Sequence, residues 1–370
     1  MKRSIAVALA TLLAIGTIEG AAAEPNRNAT SRTFTVVSSG DILLHERTWN
    51  QARRDSSTGA MNFDPQFADV KPLFASADLA LCHLETPIAK KGTGYRGYPA
   101  FNVPPQIIGT IRRLGFDMCG TASNHSFDAG SAGIKRTLDA LDAAGIKHTG
   151  SARTAAESTV PLVMTVQTDG GPVKVGIIAF TYGFNGIAYP SGHRWAANKI
   201  NATRIIAAAR AARAAGAEIV IAKLHWGSEY TARPNLYQRR LTATLARSGV
   251  IDLIDGAHSH SVQPIQKVGD MWVAYSHGNL IAAHREPTTI KSEGLITRWT
   301  FSDASGSMRI VKVEYAATLI TDRFPVRVIN VGHALTNGGY RGVTNRRLRQ
   351  ALRRTTTTVN SKGAAAQLIN

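Results

Sequence analysis

Strand-like and helix-like segments alternate through most of Phe34–Ile281, which places the chain in the layered α/β class. A second observation points the same way. Five strand-like runs each lead into a metal-binding or proton-handling side chain, as happens where an open α/β sheet gathers ligands at the carboxyl ends of its strands. A third is composition: hydrophobic residues make up 44% of 370, enough for a sizeable core and against global disorder. That length allows two domains or one large one.

The elements follow in order. Phe34–Val37 reads as a strand leading to Asp41, and the polar, Gly-containing stretch Trp49–Asn62 as a long loop beside it. Gln66–Ala75 reads as a helix, then Leu79–Leu84 as a strand leading to Glu85. Pro104–Leu114 is a helix before the strand Phe116–Met118, which precedes Asn124-His125; Ser131–Ala144 is the next helix. Val173–Phe180 is an apolar run typical of a buried strand. Ala197–Ala215 is a long Ala/Arg-rich helix with Ile200, Ile205 and Ile206 on its apolar face, ended by Gly216. Ile219–Leu224 runs straight into His225. Leu236–Ser248 is helical with Gly249 as its stop, and Ile251–Ile254 precedes His258-Ser259-His260.

After Gly294 the pattern changes to Leu295–Phe301, Met308–Tyr315 and Val326–Val331, short runs that read as antiparallel strands forming a second sheet of the same domain, residues 32–332. Residues 333–370 read as a basic helix and tail. Tyr340–Arg354 carries six arginines and no acid, and the Thr355–Thr358 run marks the end of order.

The N-terminus has the form of an export signal. Lys2 and Arg3 precede the apolar run Ile5–Ile15, and Ala21-Ala22-Ala23 offers cleavage before Glu24, so residues 1–23 are expected to leave. An uncleaved anchor is the alternative, but the apolar run falls short of the ~20 residues a spanning helix needs. No later segment is long and apolar enough to span a bilayer. The mature chain is therefore expected to be exported, periplasmic or associated with the cell surface.

The net charge of +18 becomes +17 when Lys2, Arg3 and Glu19 leave (two positives, one negative). Such a surface attracts polyanions, and outside the cytoplasm these are acidic polymers and anionic lipid rather than nucleic acid. Two cysteines, Cys82 and Cys119, cannot form a thiolate zinc cage. Oxidation is permitted in an exported chain, but neighbouring parallel strands rarely present the spacing a disulfide needs, so two buried thiols are the preferred reading.

His258-Ser259-His260 is the strongest local signal, because residues i and i+2 of an extended loop can reach adjacent coordination positions. Alone it is weak. Its weight comes from His225, Asn124, Glu85 and Asp41 at comparable strand ends. Oxygen and imidazole ligands without thiolate suit Zn, Mn or Fe. The absence of a Gly-x-x-x-x-Gly-Lys loop and of a G-x-S-x-G elbow argues against nucleotide-driven and serine-hydrolase chemistry.

Six ordered motifs carry a family resemblance: Gly40-Asp41; His83-Leu84-Glu85; Ser123 through Gly130; His225 through Tyr230; His258-Ser259-His260 with Gln263-Pro264; and Tyr275 through Asn279. Over Phe34 to Ile281 the chain resembles the poly-γ-glutamate capsule-synthesis family, within the calcineurin-like metallophosphoesterase superfamily. The resemblance implies a four-layer α/β/β/α sandwich of the metallophosphoesterase type, with two divalent metal ions between the upper edges of its sheets. It implies that Asp41 and His260 hold the first metal, that Glu85 bridges, and that Asn124, His225 and His258 hold the second. His125 would donate a proton to a leaving group. Asp128 can orient His125 or cap the helix that follows, and the cap is the preferred reading.

Three departures matter. The phosphoesterase pattern has Asp-x-His in its first motif, but position 43 is Leu; His45 lies two residues on, where a surface role is expected. Glu85 replaces the usual bridging Asp. His83 and His277 stand where the capsule family has Asn and Leu, and can either join the site or serve packing. Three readings follow. The first is an exported metal-dependent hydrolase of a phosphoester or amide bond, acting in synthesis, export or trimming of an acidic polymer such as poly-γ-glutamate. The second is a non-catalytic accessory that binds the polymer or a membrane-bound synthase. The third is a periplasmic phosphoesterase.

Overall fold

Residues 31–284, 289–321 and 323–369 are described by a computed structural model, so the expected export signal lies outside the described residues. Two sheets form its frame. In the first, β1 (Thr33–Ile42), β2 (Leu79–Leu84), β3 (Met118–Gly120) and β4 (Lys147–Thr149) run parallel. The second contains β5 (Leu162–Val166), β6 (Val173–Thr181), β7 (Ile219–His225), β8 (Leu253–Ala257), β9 (Ile265–Val268) and β10 (Met271–Ala274), in the order β5-β6-β7-β8-β10-β9. Its β6, β7 and β8 are parallel neighbours.

The chain then returns to the first sheet. There β11 (Asn279–Ile281) pairs with the end of β1, β12 (Glu293–Ser302) lies antiparallel to the rest of β1, and β13 (Arg309–Ile320) and β14 (Val328–Asn330) extend that edge. These late strands thus join the first sheet and do not build the second sheet that the sequence led one to expect. The open edge of β1 offers a row of unpaired backbone groups, and β12 satisfies them from Thr33 to Ser39.

Side-chain alternation stacks the layers. Val36, Leu79 and Leu81 of the first sheet meet Val175, Ile177, Ile219 and Ile221 of the second in one buried cluster. The opposite faces carry helices. Val37, Ala80 and Cys82 pack under α1 (Glu46–Arg54), α2 (Lys71–Ala75), α3 (Gln106–Leu114) and α4 (Gly130–Ala143). Val220, Ala222 and Leu224 pack under α5 (Ala202–Ala214) and α6 (Leu236–Arg247). The result is the expected α/β/β/α sandwich.

Several boundaries moved for physical reasons. The stretch read as a loop after Trp49 begins inside α1, because Trp49 and Ala52, three apart, both bury against the core. The helix expected at Gln66–Ala75 breaks into a short turn and α2, whose second residue is Pro72; a proline without an N–H is tolerated in a first turn, not an interior. α5 starts late because Ala197 and Lys199 bridge to Ser151 and Thr181, and Asn201 caps the helix by accepting the Arg204 N–H at 3.1 Å.

At the C-terminus, α7 (Val331–Thr336) and α8 (Asn345–Asn360) pack on β13. α8 runs through the threonine stretch where order was expected to end: Thr355 is buried, and Arg347 and Arg354 clamp Glu293 of β12 at 2.5 Å each. The short β15 (Gln367–Leu368) then pairs with β13. Cys82 and Cys119 stand directly opposite in the β2–β3 register, with Cα atoms 4.5 Å apart, and form a disulfide rather than two free thiols.

Candidate metal centre

Strand register builds the site. Asp41, His83 and Gly120 are aligned across β1–β2–β3, and Thr181, His225 and Ala257 across β6–β7–β8. The carboxyl ends of both sheets therefore form facing rims. Glu85 follows β2, Asn124 and His125 follow β3, Tyr182 follows β6, and His258 follows β8. Two glycines permit the close backbone approach. A Cβ on Gly40 would stand 2.0 Å from the Gly278 carbonyl oxygen, and one on Gly256 2.0 Å from that of Tyr275. Asp41 can thus donate its N–H to the Gly278 oxygen at 2.9 Å.

All six residues expected to hold metal come together and are buried. Asp41, Glu85 and His260 each bring one ligand atom within 4.8 Å of the others, as do Glu85, His225 and His258. Asn124 Oδ1 lies 2.8 Å from His225 Nε2. His258 and His260 have φ of 92° and 49°, a left-handed backbone that costs of order 1–3 kcal/mol per residue and is held here by the surrounding structure. One restraint is the His258 N–H, which donates to Asp41 Oδ2 at 3.2 Å.

His125 lies at the edge of this cluster. Its Nδ1 is 2.7 Å from Asp128 Oδ2, and that carboxylate also accepts the Phe101 N–H at 2.7 Å. Asp128 does not cap the following helix, whose N-cap is Ala129 with no side-chain bond. The Phe101 ring meets the His125 imidazole edge-on at 4.7 Å.

The three departures are now located. Leu43 is buried among apolar side chains. His45 is not on the surface: it is buried, its Nδ1 accepts the Ala283 N–H at 3.2 Å, and its ring lies 4.7 Å from His284. His83 is within the cluster, with Nε2 2.9 Å from His225 Nδ1 and 3.9 Å from Asp41 Oδ1. His277 lies below it, bonded to the Gly256 oxygen at 3.1 Å and Thr297 Oγ1 at 2.9 Å. Beside His277, Asp255 pairs with Lys223 at 2.5 Å and accepts the Ser38 hydroxyl at 2.5 Å, all buried between the sheets.

Electrostatics sorts these groups. Burial pushes the Glu85 carboxyl well above the usual carboxylate range, and the neighbouring Asp41 charge adds to the push. Burial would raise Asp41 too, but the bond and charge of His260 hold it below its ordinary value. Burial works against the charged form of His260, yet Glu85 and Asp41 outweigh it and lift that imidazole to about 9. Burial lowers His83 to about 4 and His258 to about 3, and takes His225 well below the usual range. Neutral imidazole is the ligating form.

The donor set passes a test of fit. Asp41 Oδ1, both Glu85 carboxylate oxygens and His258 Nδ1 are buried with no hydrogen-bond partner among the described residues. Buried lone pairs left without partners are costly. Converging carboxylate oxygens and imidazole nitrogens are what a divalent cation satisfies, and the site suits divalent metal binding.

Sequence reading missed Tyr182, whose ring lies 4.5 Å from that of His258, and His284, 5.5 Å from His260. Both follow strand ends, β6 and β11, so the rule that found the other residues was available for these two. Glu229, exposed, brings a carboxylate oxygen within 4.8 Å of ligand atoms of His258 and His260.

The family model described as "Bacterial capsule synthesis protein PGA_cap" matches residues 35–284. The capsule biosynthesis protein CapA of Bacillus anthracis is 24% identical over 75% of this chain and 66% of its own length. The PGA biosynthesis protein CapA of Bacillus subtilis is 24% identical over 65% of this chain and 61% of its own. The chain thus spans less than two thirds of either relative. Among solved structures, the calcineurin-like phosphoesterase YfkN of Bacillus subtilis aligns with a TM-score of 0.42 at 15% identity, over 89% of this chain and 98% of that one. With its six motifs gathered at one rim and the family model covering about two thirds of its length, the chain belongs to the bacterial capsule synthesis family PGA_cap.

Proposed function

We propose that this chain is an exported, metal-dependent hydrolase that acts on an acidic cell-surface polymer of the poly-γ-glutamate type, beside a membrane-bound synthase, through a dinuclear centre. In this reading Asp41 and His260 hold one ion, Glu85 bridges, and Asn124, His225 and His258 hold the other. The observation that carries it is the juxtaposition of orphaned carboxylate oxygens with a positioned His125–Asp128 pair one residue from Asn124. A purely structural metal would not need the second feature.

Bound divalent ions would supply Lewis acidity to the scissile centre and a lower pKa to water there. The remaining work falls to side chains. Asp128 takes the Nδ1 proton of His125 in a hydrogen bond, which leaves Nε2 as the nitrogen that exchanges a proton with the leaving group. With Nε2 of His225 given to an ion, its Nδ1–H donates to His83 Nε2, fixing tautomer and ring plane. Those roles serve a phosphoester or an amide, so a γ-glutamyl bond is within reach.

A second reading, a non-catalytic accessory with a structural metal, has Leu43 in its favour, an apolar group where the phosphoesterase pattern has an imidazole. One experiment separates the two. Purified protein is assayed for bound metal and for shortening of poly-γ-glutamate. His260→Ala is expected to lose metal, and His125→Ala to keep metal and lose turnover. Full polymer processing by both variants, or none by the wild type with metal bound, rejects the hydrolase. Turnover of simple aryl phosphates would instead favour a conventional phosphoesterase.

A further inference from the structure

Beside the centre lies a cleft of about 740 Å³, lined by Arg47, Arg53 and Arg54 of α1 together with Tyr98, Phe324 and His45. Arg47 and Arg54 are seven residues apart, about two helical turns, and so share a face. Both guanidinium groups lie over the Phe324 ring, at 5.9 and 3.9 Å. No ion pair to any of the three arginines is made by a described residue, and the Arg47 Nε is buried without a hydrogen-bond partner among the described residues. Glu46, exposed, is the acidic side chain among the described lining. Tyr98 is 70% exposed and Phe324 40%, so two large rings face solvent beside arginines that no described residue pairs.

The cleft and the centre are separated by packed imidazoles. His45 forms part of the cleft wall, His284 follows at 4.7 Å, and His260 lies 5.5 Å beyond that.

We infer that this cleft, beside the centre, is a subsite for successive carboxylates of a linear polycarboxylate. Two features select that class. Guanidinium forks pair with carboxylates in a bidentate, directional way that a lysine cluster would not. The exposed rings offer apolar surface between the charges, and a γ-linked glutamate chain alternates an α-carboxylate with backbone methylenes. A polyphosphate has charge at every unit and no apolar stretch for Tyr98 or Phe324 to cover.

The inference rests on the hydrolase reading for its substrate, but its test does not. Binding of fluorescein-labelled poly-γ-glutamate to the purified protein is measured by anisotropy over a salt series, alongside inorganic polyphosphate. Wild type is expected to bind poly-γ-glutamate more tightly than polyphosphate, with affinity falling as salt rises. Arg47→Gln/Arg54→Gln is expected to weaken poly-γ-glutamate binding about tenfold or more at low salt. Metal content and the thermal midpoint report that the fold and the centre are intact in that variant. Undiminished binding by the double variant overturns the inference, and so does a wild-type preference for polyphosphate that the variant loses. Absence of bound metal from the wild type would reject the hydrolase reading while the binding data still decided the cleft.

Discussion

The buried pair Lys223–Asp255 offers the sharpest test of the polar cluster that lies between the sheets beneath the rim. Its members lie on adjacent strands, β7 and β8, at 2.5 Å, with each side chain 2% exposed. Burial alone would raise Asp255; Lys223, His277 and the Ser38 hydroxyl bring it below its ordinary value instead, so the carboxylate is charged in the folded protein. Lys223→Met keeps the volume and removes the compensating charge. Leaving one buried charge alone typically costs about 3–5 kcal/mol. Asp255 would retain the Ser38 bond at 2.5 Å and the His277 nitrogen at 3.2 Å, which argues for the lower half of that range. Removing both charges, as Lys223→Met/Asp255→Leu, eliminates the lone ion but leaves Ser38 without its acceptor, a cost of about 1–3 kcal/mol. The double variant should therefore be more stable than the single one. Urea unfolding followed by fluorescence of the buried Trp226 and Trp299 measures both. A single substitution that cost less than about 1 kcal/mol, or a double that cost more than the single, would refute the claim that this is a desolvated, mutually dependent pair.

Three further outcomes are expected. The Cys82–Cys119 bridge closes a loop of 37 residues between two fully buried sulfurs. Replacing both by Ala should lower stability by about 3–4 kcal/mol in urea unfolding, and mild reductant should act only on unfolded protein; rapid reduction in native buffer would contradict this. His148 is lowered from 6.5 by burial despite Asp142 at 3.1 Å. Its folded value lies below its unfolded one, so its contribution to stability is present above pH 6.5 and lost as pH falls through the folded value. His148→Gln should flatten that acid limb in denaturation curves taken across it, and an unchanged limb would exclude the residue as its source. Chelation should lower the thermal midpoint, with recovery that depends on the concentration of added Mn or Zn; a midpoint indifferent to chelator would count against metal in the Asp41–Glu85 cluster.

Much of this architecture was legible from pattern alone. Leu79–Leu84 is bounded as read, because an apolar run ending at Glu85 leaves little latitude. The rim was legible because a parallel sheet aligns strand ends whatever their distance in sequence, so one rule brought together residues from 41 to 260. What escaped was set by tertiary partners. The destination of the strands after Gly294 depends on which edge is open, a property of the assembled sheet and not of their own alternation. The disulfide depends on register: two cysteines in adjacent parallel strands usually miss one another, and here residues 82 and 119 fall opposite. Asp128 looked like a helix cap because caps are local, whereas its partners are His125 and the distant Phe101 backbone.

The altered first motif shows how far substitution at one strand end can be absorbed by the next. Position 43 holds Leu, and its side chain joins the apolar cluster under α1 instead of the rim. The register of β1 with β2 shifts between Ser38 and Asp41, and that irregularity sets His83 opposite Asp41. An imidazole is thereby supplied 3.9 Å from Asp41 Oδ1 by the neighbouring strand. Its other nitrogen, Nδ1, is buried and unbonded among the described residues. An imidazole thus returns beside Asp41 from across a strand, but its Nε2 accepts from His225 Nδ1 and is not a free ligand nitrogen. Such a change preserves the charge balance of the cluster but turns its imidazole toward His225. The altered centre is therefore best described by its own geometry, with His83 tied to both halves.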